Sequence, residues 1–314
     1  MSTAGFHEGE RTVQRLAGVV DEAERLQGML QPPRPGGGLS AVLAARSFAV
    51  LTGRDHDGVL WTSPLYGEPG LLVTDGTTLT VHTAPPEGDP LHNAPVPQQV
   101  GLLAIDLGIR RRIRVNGELT DNSADVLTIH ADQAFGNCPS YIQQRYLTVT
   151  RTPAHRADAG RPQPQDTSHT SDTGTLRRDH IEMIRKADTF FLGTTHPTRG
   201  ADASHKGGRP GFVRVQGGEI WWPDYAGNNM FNSLGNISVD PAPALLFINF
   251  ATGRTLHLSG EARVEWLDPS ADEGGTGRRV RFTPRWIRSG EIPLRGDLLS
   301  FSPHNPAVTT PRAA

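Results

Sequence analysis

The sequence predicts a mainly β protein of α+β composition, built from two like domains, each a small closed barrel of short strands with flanking helices. Three observations carry this. First, the chain resembles itself: residues 101–119 (GLLAIDLGIRRRIRVNGEL) align without a gap on 244–262 (ALLFINFATGRTLHLSGEA), at an offset of 143. Second, 314 residues suit two domains of roughly 150 each. Third, 35 Gly and 25 Pro fit many short strands joined by turns. The repeat is too long for a solenoid unit of roughly 20–50 residues and reads as a duplicated domain. Two such domains are expected to pack about a pseudo-twofold axis, as a homodimer does, and a seam of that kind is a common place for a ligand.

The repeat extends beyond its best block. The same offset pairs Phe48 and Thr52 with Phe191 and Thr195. Between these blocks it drifts to 141, where Ser63, Gly67, Pro69, Gly70 and Gly76 meet Ser204, Gly208, Pro210, Gly211 and Gly217.

Taken in order, residues 10–30 place Val13, Leu16, Ala17, Val20, Ala23, Leu26 and Leu30 at helical spacing, which predicts an amphipathic helix covering part of a barrel. Pro32, Pro33 and Pro35 with Gly36–Gly38 stop it. Strands are predicted at 47–53, 58–65, 70–74, 78–83, 100–107, 111–120 and 124–131, from β-branched and aromatic content between turn residues. Residues 137–146 predict a short helix after Asn137, with Pro139 in its first turn. Residues 156–174 are nearly free of apolar side chains and read as an exposed linker. A helix at 177–187 opens the second half. Strands follow at 189–195, 202–206, 211–216, 219–222, 244–250, 254–266 and 278–288, with a helix over 229–238. The expected organisation is a first domain over 1–155, a linker over 156–176, a second domain over 177–301, and a disordered Pro-rich tail over 302–314. Short antiparallel strands favour a closed barrel because closure removes sheet edges.

Composition excludes several classes. A formal net charge of −2 points to neither nucleic acid nor a membrane surface. No apolar run of about 18 residues predicts a membrane span, and the N-terminal stretch lacks the apolar region of a secretory signal. The single cysteine, Cys138, rules out an internal disulfide and suggests a reducing compartment, so a cytoplasmic protein is expected. The twelve histidines show no paired ligand spacing, and no metal site is expected. Neither a dinucleotide-binding GxGxxG nor a P-loop occurs in the required context.

Residues 190–215 (FFLGTTHPTRGADASHKGGRPGFVRV), 221–229 (WWPDYAGNN), 236–250 (NISVDPAPALLFINF) and 257–264 (HLSGEARV) resemble the flavin-binding split barrel of the pyridoxamine 5′-phosphate oxidase family. Residues 6–18 (FHEGERTVQRLAG) and 135–145 (FGNCPSYIQQR) further resemble a two-barrel branch of predicted flavin-nucleotide-binding proteins. The resemblance covers about 100 residues of the second half and, through the repeat, the first half more weakly. It implies two tandem split β-barrels related by pseudo-twofold symmetry, with FMN held noncovalently between them. It places Ser204, His205, Lys206 and Arg209 on the strand along the flavin ring, and Tyr225 where a loop approaches the cofactor. The family's phosphate-binding loop carries cations, but here it reads Gly227-Asn228-Asn229, so charge must come from elsewhere or flavin affinity is low.

The residues themselves support a composite site. Lys206 supplies a cation and donors, and Gly207 and Gly208 allow close backbone approach. The plainer reading is a solvated hairpin. On one strand, Arg110, Arg112 and Arg114 share a face while Ile113 and Val115 point to the core. Their repeat counterparts are Gly253, Thr255 and His257, whereas Pro64 and Leu65 stand opposite His205 and Lys206. Each half holds what the other lacks, which suggests one site with ring contacts from 204–209 and phosphate charge from Arg110, Arg112 and Arg114. The plainer reading is a solvated stripe balanced by Glu118, Asp121 and Asp125. Trp221, Trp222 and Tyr225 could stack on a ring or fill a core. Asn228, Asn229, Asn232 and Ser233 could donate to phosphate at a helix N-terminus or merely cap it. Cys138 reads as a buried or half-buried structural thiol.

The expected function is an FMN-dependent oxidoreductase acting on a small organic molecule, with no nucleic-acid or membrane partner. His205, Lys206 and Tyr225 are the candidates for a protein acid. The chain is a pseudo-dimer in itself, and further homodimer formation stays open. Alternatives are a non-catalytic flavin- or haem-binding carrier or sensor, a deazaflavin (F420)-dependent reductase, and a scaffold that has lost its cofactor.

Overall fold

The computed structural model describes residues 5–30, 33, 38–123, 125–150, 170–171 and 174–308. The first half contributes β1 (Phe48–Arg54), β2 (Leu60–Tyr66), β3 (Leu72–Thr74), β4 (Thr78–Val81), β5 (Gln98–Asp106), β6 (Arg111–Ser123) and β7 (Val126–Gly136). These form one antiparallel sheet in the order β2-β1-β5-β6-β7-β4-β3. Two-residue strands β8 (Gln144–Arg145), β9 (Thr148–Val149) and β10 (Thr170–Ser171) follow. The second half contributes β11 (Thr189–His196), β12 (Gly200–Gly207), β13 (Arg214–Gln216), β14 (Glu219–Pro223), β15 (Ala244–Ile248), β16 (Arg254–Trp266) and β17 (Arg278–Glu291). Their order, β12-β11-β15-β16-β17-β14-β13, repeats that of the first sheet, and β10 pairs with β17. Each path is open, ending at β2 and β3 or at β12 and β13, so the closed barrels expected from strand content are split ones. Two short pairs tie the halves together: β18 (Leu294–Arg295) with β9, and β19 (Leu298–Ser300) with β8.

The strand registers correct the repeat. Leu51 faces Leu102 across β1 and β5, and Leu192 faces Leu245 across β11 and β15. The counterpart of Leu192 is therefore Leu51, and that of Phe191 is Val50 rather than Phe48. The offset is 141 over β1 and β2 and becomes 143 only from β5. A slip of two residues keeps every side chain on its own face, so apolar pattern alone does not reveal it. The shared Gly117 and Gly260 mark the same bulge in β6 and β16. A Cβ at Gly117 would sit 2.0 Å from the carbonyl oxygen of His130, and one at Gly260 would sit 2.1 Å from that of Thr283. Only glycine fits such an approach.

Trp61, Leu79, Leu102 and Ile129 centre the first barrel, and Phe190, Trp222, Phe247 and Phe282 the second. A third cluster, including Val50, Leu103, Ile105, Phe191, Leu246 and Ile248, lies between them. Packing there is reciprocal: β12 lies on β5 and β6, and β2 lies on β15 and β16. A Cβ at Gly101 would be 2.6 Å from the Cα of Asp202, so a glycine lets β12 come this close.

The predicted helix over 10–30 is broken. Helix α1 (Glu8–Ala17) is capped at its start by His7 with Glu10, and ends at Gly18, whose φ of 69° supplies the left-handed cap. Helix α2 (Val20–Glu24) and a 3-10 turn over Gln27–Leu30 follow, and α3 (Leu39–Ala44) forms where the sequence predicts no helix. Helix α1 packs on the second barrel, not on the first. Val13 enters the second core, and Gln14 Nε2 donates to the Met230 carbonyl at 3.1 Å. The helices α4 (Arg178–Lys186) and α5 (Asn232–Val239) match expectation.

Residues 137–146 are turns and β8 rather than a helix, and Tyr141 has a φ of 66° that no right-handed helix contains. Of the expected linker, 156–169 and 172–173 lie outside the described residues; β10 pairs with β17, and Leu176 is buried in the second core. Residues 302–308 of the expected disordered tail are packed. Gln143 holds Ser302 and Asn305, and Val308 packs against the second core. No described helix is long and apolar enough to cross a membrane.

Candidate functional site

A cavity opens at the seam and encloses about 850 Å³ of empty space, its mouth included. The first barrel supplies Arg112 and Arg114 from β6 and the segment from Asn137 to Tyr141. The second supplies Ser204–Gly207 of β12, Trp222 and Tyr225 at the end of β14, and the loop running into α5.

Alternation along β6 buries Val115 in the first core and turns Arg112 and Arg114 outward, onto the other barrel. Arg114 is buried. It makes two hydrogen bonds to Asp202, at 3.0 and 3.1 Å, and donates to Ser204 Oγ at 2.7 Å and to Asn232 Oδ1 at 3.2 Å. Arg112 donates through Nη1 to the His205 carbonyl and through Nε to the Cys138 carbonyl, both at 3.0 Å. Burial first, and then Arg114, lower the Arg112 pKa to about 9. Its wall of protein outweighs its partial exposure, but a guanidinium stays charged at neutral pH.

Lys206 Nζ lies 3.7 Å from Asp224, which also accepts from Arg278 Nε at 3.0 Å. Burial lowers the Lys206 pKa, with Asp224 opposing. Among the lining side chains, Arg112, Arg114 and Lys206 meet one carboxylate, Asp224, leaving a net charge of +2; behind them Asp202 pairs with Arg114 and Arg278 with Asp224.

His205 is 4% exposed, and burial, with Arg112, Arg145 and Lys206 nearby, holds its pKa well below the ordinary histidine value. It is a neutral imidazole, and neither ring nitrogen has a partner. Arg114 Nε, Asn137 Oδ1 and Trp222 Nε1 are also buried and unpaired in this wall. Leaving such a group unpaired costs about 1–3 kcal/mol. These five atoms belong to residues that line the cavity, but the atoms themselves are buried, and the His205 ring packs against Phe191 between the barrels.

Helix α5 starts at Phe231, in the left-handed region with a φ of 60°, and no side chain caps it. Its first turn, from Asn232 to Leu234 and including Ser233, faces the cavity, so its free N–H groups can serve an anion. Asn228 turns back on Met230, and Asn229 adopts a φ of 60°, so this loop contributes shape rather than charge. The Tyr225 ring lies 5.1 Å from that of Tyr141, whose hydroxyl donates to the Ala226 carbonyl at 2.8 Å. Burial raises the Tyr225 pKa, making it a poor acid.

No family model matches the chain, and no curated protein matches it. Solved structures do. One, from Lactobacillus delbrueckii and provisionally named a pyridoxamine 5′-phosphate oxidase, is 14% identical, covers 38% of this chain and 97% of its own, and has a TM-score of 0.32. A NimC/NimA family protein from Clostridium acetobutylicum is 12% identical over 41% of this chain and 97% of its own, with a TM-score of 0.29. HutZ, described as the haem storage protein from Vibrio cholerae, is 12% identical over 38% and 97%, with a TM-score of 0.29. At these scores the case for a function rests on the cavity.

Of the residues singled out in the sequence, Arg112, Arg114, Ser204, His205, Lys206, Tyr225, Asn228, Asn229 and Ser233 meet in this wall. Arg110 and Arg209 lie outside it. Arg110 precedes β6 in a turn with a φ of 52° and is spent on Ile142 and Ser300. Arg209 is exposed and stacks on Phe301 at 5.0 Å. Cys138 is exposed at the cavity wall rather than buried. Asn137, Tyr141 and Asp224 join the wall, and Asp202 backs Arg114, without a local sequence signal, because their partners are distant in sequence.

His7, Glu8 and His196 also gather, with ligand atoms within 4.8 Å of one another. Each imidazole accepts a backbone N–H at Nδ1, from Gly9 and from Thr198, so its proton sits on Nε2 and points at Asn236 or Glu8. That is the pattern of a helix cap and latch, opposite to the one a metal ligand needs.

Proposed function

We propose that the seam cavity binds FMN and that the protein is an FMN-dependent oxidoreductase acting on a small organic molecule. The observation that carries this is a net charge of +2 among the lining side chains beside the uncapped start of α5. A phosphate monoester carries about −1.5 to −2 at neutral pH, and a flat heterocycle offers both donors and acceptors. The bound flavin would supply the electron and hydride chemistry. The chain's own residues bind and orient. Arg112 and the first turn of α5 would hold the phosphate, and Asn137, His205 and Trp222 would pair with polar edges. Tyr141 and Tyr225 would restrict water. His205 cannot store a proton at neutral pH and Tyr225 does not readily release one, so neither is poised as an acid.

Reconstitution tests this. Purified protein mixed with FMN should acquire the two visible flavin bands and retain them through gel filtration. It should then oxidise NAD(P)H or a reduced substrate faster than free FMN does. Failure to retain FMN would sink the proposal. A haem carrier is the second reading, favoured by His205, whose neutral ring with unpaired nitrogens could bind iron. Parallel titration with haemin and F420 separates these readings.

A further inference from the structure

The pseudo-twofold axis gives this cavity a mate on the opposite side of the seam, and the registers say what stands there. Ser204 faces Leu192 as Ser63 faces Leu51, so Ser63 is the counterpart of Ser204, and Leu65 that of Lys206. Arg114 faces Leu103 as His257 faces Leu246, so His257 replaces Arg114 and Thr255 replaces Arg112. Three cations become a leucine, a threonine and an imidazole. That imidazole is fully engaged: Nδ1 contacts the Thr62 carbonyl at 2.9 Å and Nε2 contacts Thr255 Oγ1 at 3.2 Å. Its pKa is lowered, by burial first, so it adds no charge at neutral pH.

The decisive replacement is a carboxylate. Where α5 begins in the second barrel, the first barrel runs through a turn carrying Asp89. Its Oδ1 accepts from Ser63 Oγ at 2.5 Å and from the Leu91 backbone N–H at 2.8 Å. A serine hydroxyl and a backbone N–H are the donors that the working cavity, through Ser204 and α5, presents to an anion. We propose that Asp89 stands in the mate where a ligand's anion would lie, so that the chain closes this second site itself and keeps one anionic-ligand site. This rests on the flavin reading only for the identity of the ligand. The carboxyl occupies the hydrogen bonds that a phosphate would need, although burial raises its pKa, with His257 and Arg288 nearby opposing that shift.

Two measurements test it. Titration with FMN should saturate at one equivalent per chain. That equivalent should bind at least tenfold more weakly in Arg112→Ala and be unchanged in Asp89→Asn. Two equivalents, or one that survives Arg112→Ala and disappears in Asp89→Asn, would overturn the proposal. Zero equivalents defeats the flavin reading alone, and a ligand-free measurement then decides. Asp89→Gly vacates the carboxylate and should lower the Tm, and sodium formate should raise the Tm of that variant while leaving the parent unmoved, sodium chloride being the ionic-strength control. An Asp89→Gly protein whose Tm equals the parent's, or one indifferent to formate, would show that no anion seat exists there.

Discussion

Arg112 Nη1 donates to the His205 carbonyl across the seam at 3.0 Å, so a side chain of one barrel fixes the strand on which the other presents its imidazole. Arg112→Ala should weaken FMN binding at least tenfold, or about 1.4 kcal/mol. Arg112→Lys should recover only part, because an ammonium cannot span the His205 and Cys138 carbonyls as a guanidinium does. Fluorescence titration reads both; unchanged affinity in Arg112→Ala would remove it from the site.

The Arg114–Asp202 pair should be the most costly in the seam to break. Both side chains are nearly inaccessible, at 8% and 4%, so removing one leaves a buried uncompensated charge. Asp202→Ala should lower stability by about 3–5 kcal/mol in urea denaturation. A loss below 1 kcal/mol, on the scale of a surface pair, would show that water reaches Arg114.

Glu10 and His7 give stability opposing pH dependences. Burial raises the Glu10 pKa from 4.5 to about 7, so the folded state holds a proton that the unfolded state has released. Its contribution is complete below about 4.5 and is lost as pH rises towards 7. His7, lowered from 6.5 to about 4 by burial and His196, contributes stability that is complete above 6.5 and lost as pH falls towards 4. The two oppose each other between about 4.5 and 6.5. Glu10→Gln should therefore gain stability relative to the parent as pH rises from 4.5 to 7, by up to roughly 3 kcal/mol. Parallel pH–Tm curves would contradict the assignment.

Gly117→Ala and Gly260→Ala should each destabilise by more than about 2 kcal/mol, because the new methyl group meets a cross-strand carbonyl oxygen at 2.0 or 2.1 Å. Equal stability of either variant and its parent would mean that the bulge is not rigid.

Cys138, the chain's sole cysteine, reports on the cavity directly. Bound FMN should slow its alkylation by iodoacetamide several-fold, and the Arg112→Ala protein should show no such protection. Equal rates with and without FMN would place the cofactor elsewhere.

Much of this architecture was legible because a duplication repeats its own pattern. Strand content, the shared Gly117 and Gly260, and the complementary losses at Lys206 and Arg114 are all local signals. What stayed hidden depends on partners far along the chain. The apolar stripe of α1 says that the helix packs, but not that it packs on the second barrel. Asn137-Cys138-Pro139 looks like a helix start, yet the left-handed Tyr141 turns the segment across the cavity instead. Arg209 lies next to the site in sequence, but the turn carries it out to Phe301. Asp202 and Asp224 set the charge of the wall, and nothing in their own neighbourhoods announces it.

The seating of α1 on α5 also orders events during synthesis. His7 must find Asn236, and Gln14 must find Met230, across separations of 229 and 216 residues. On a ribosome the first-half strands emerge while the helix that preceded them still has no surface to cover. The pocket wall beneath α5 is therefore among the last parts to be finished. A chain stalled before α5 would carry an amphipathic helix with no surface to cover and would lack the second-barrel half of the seam cavity.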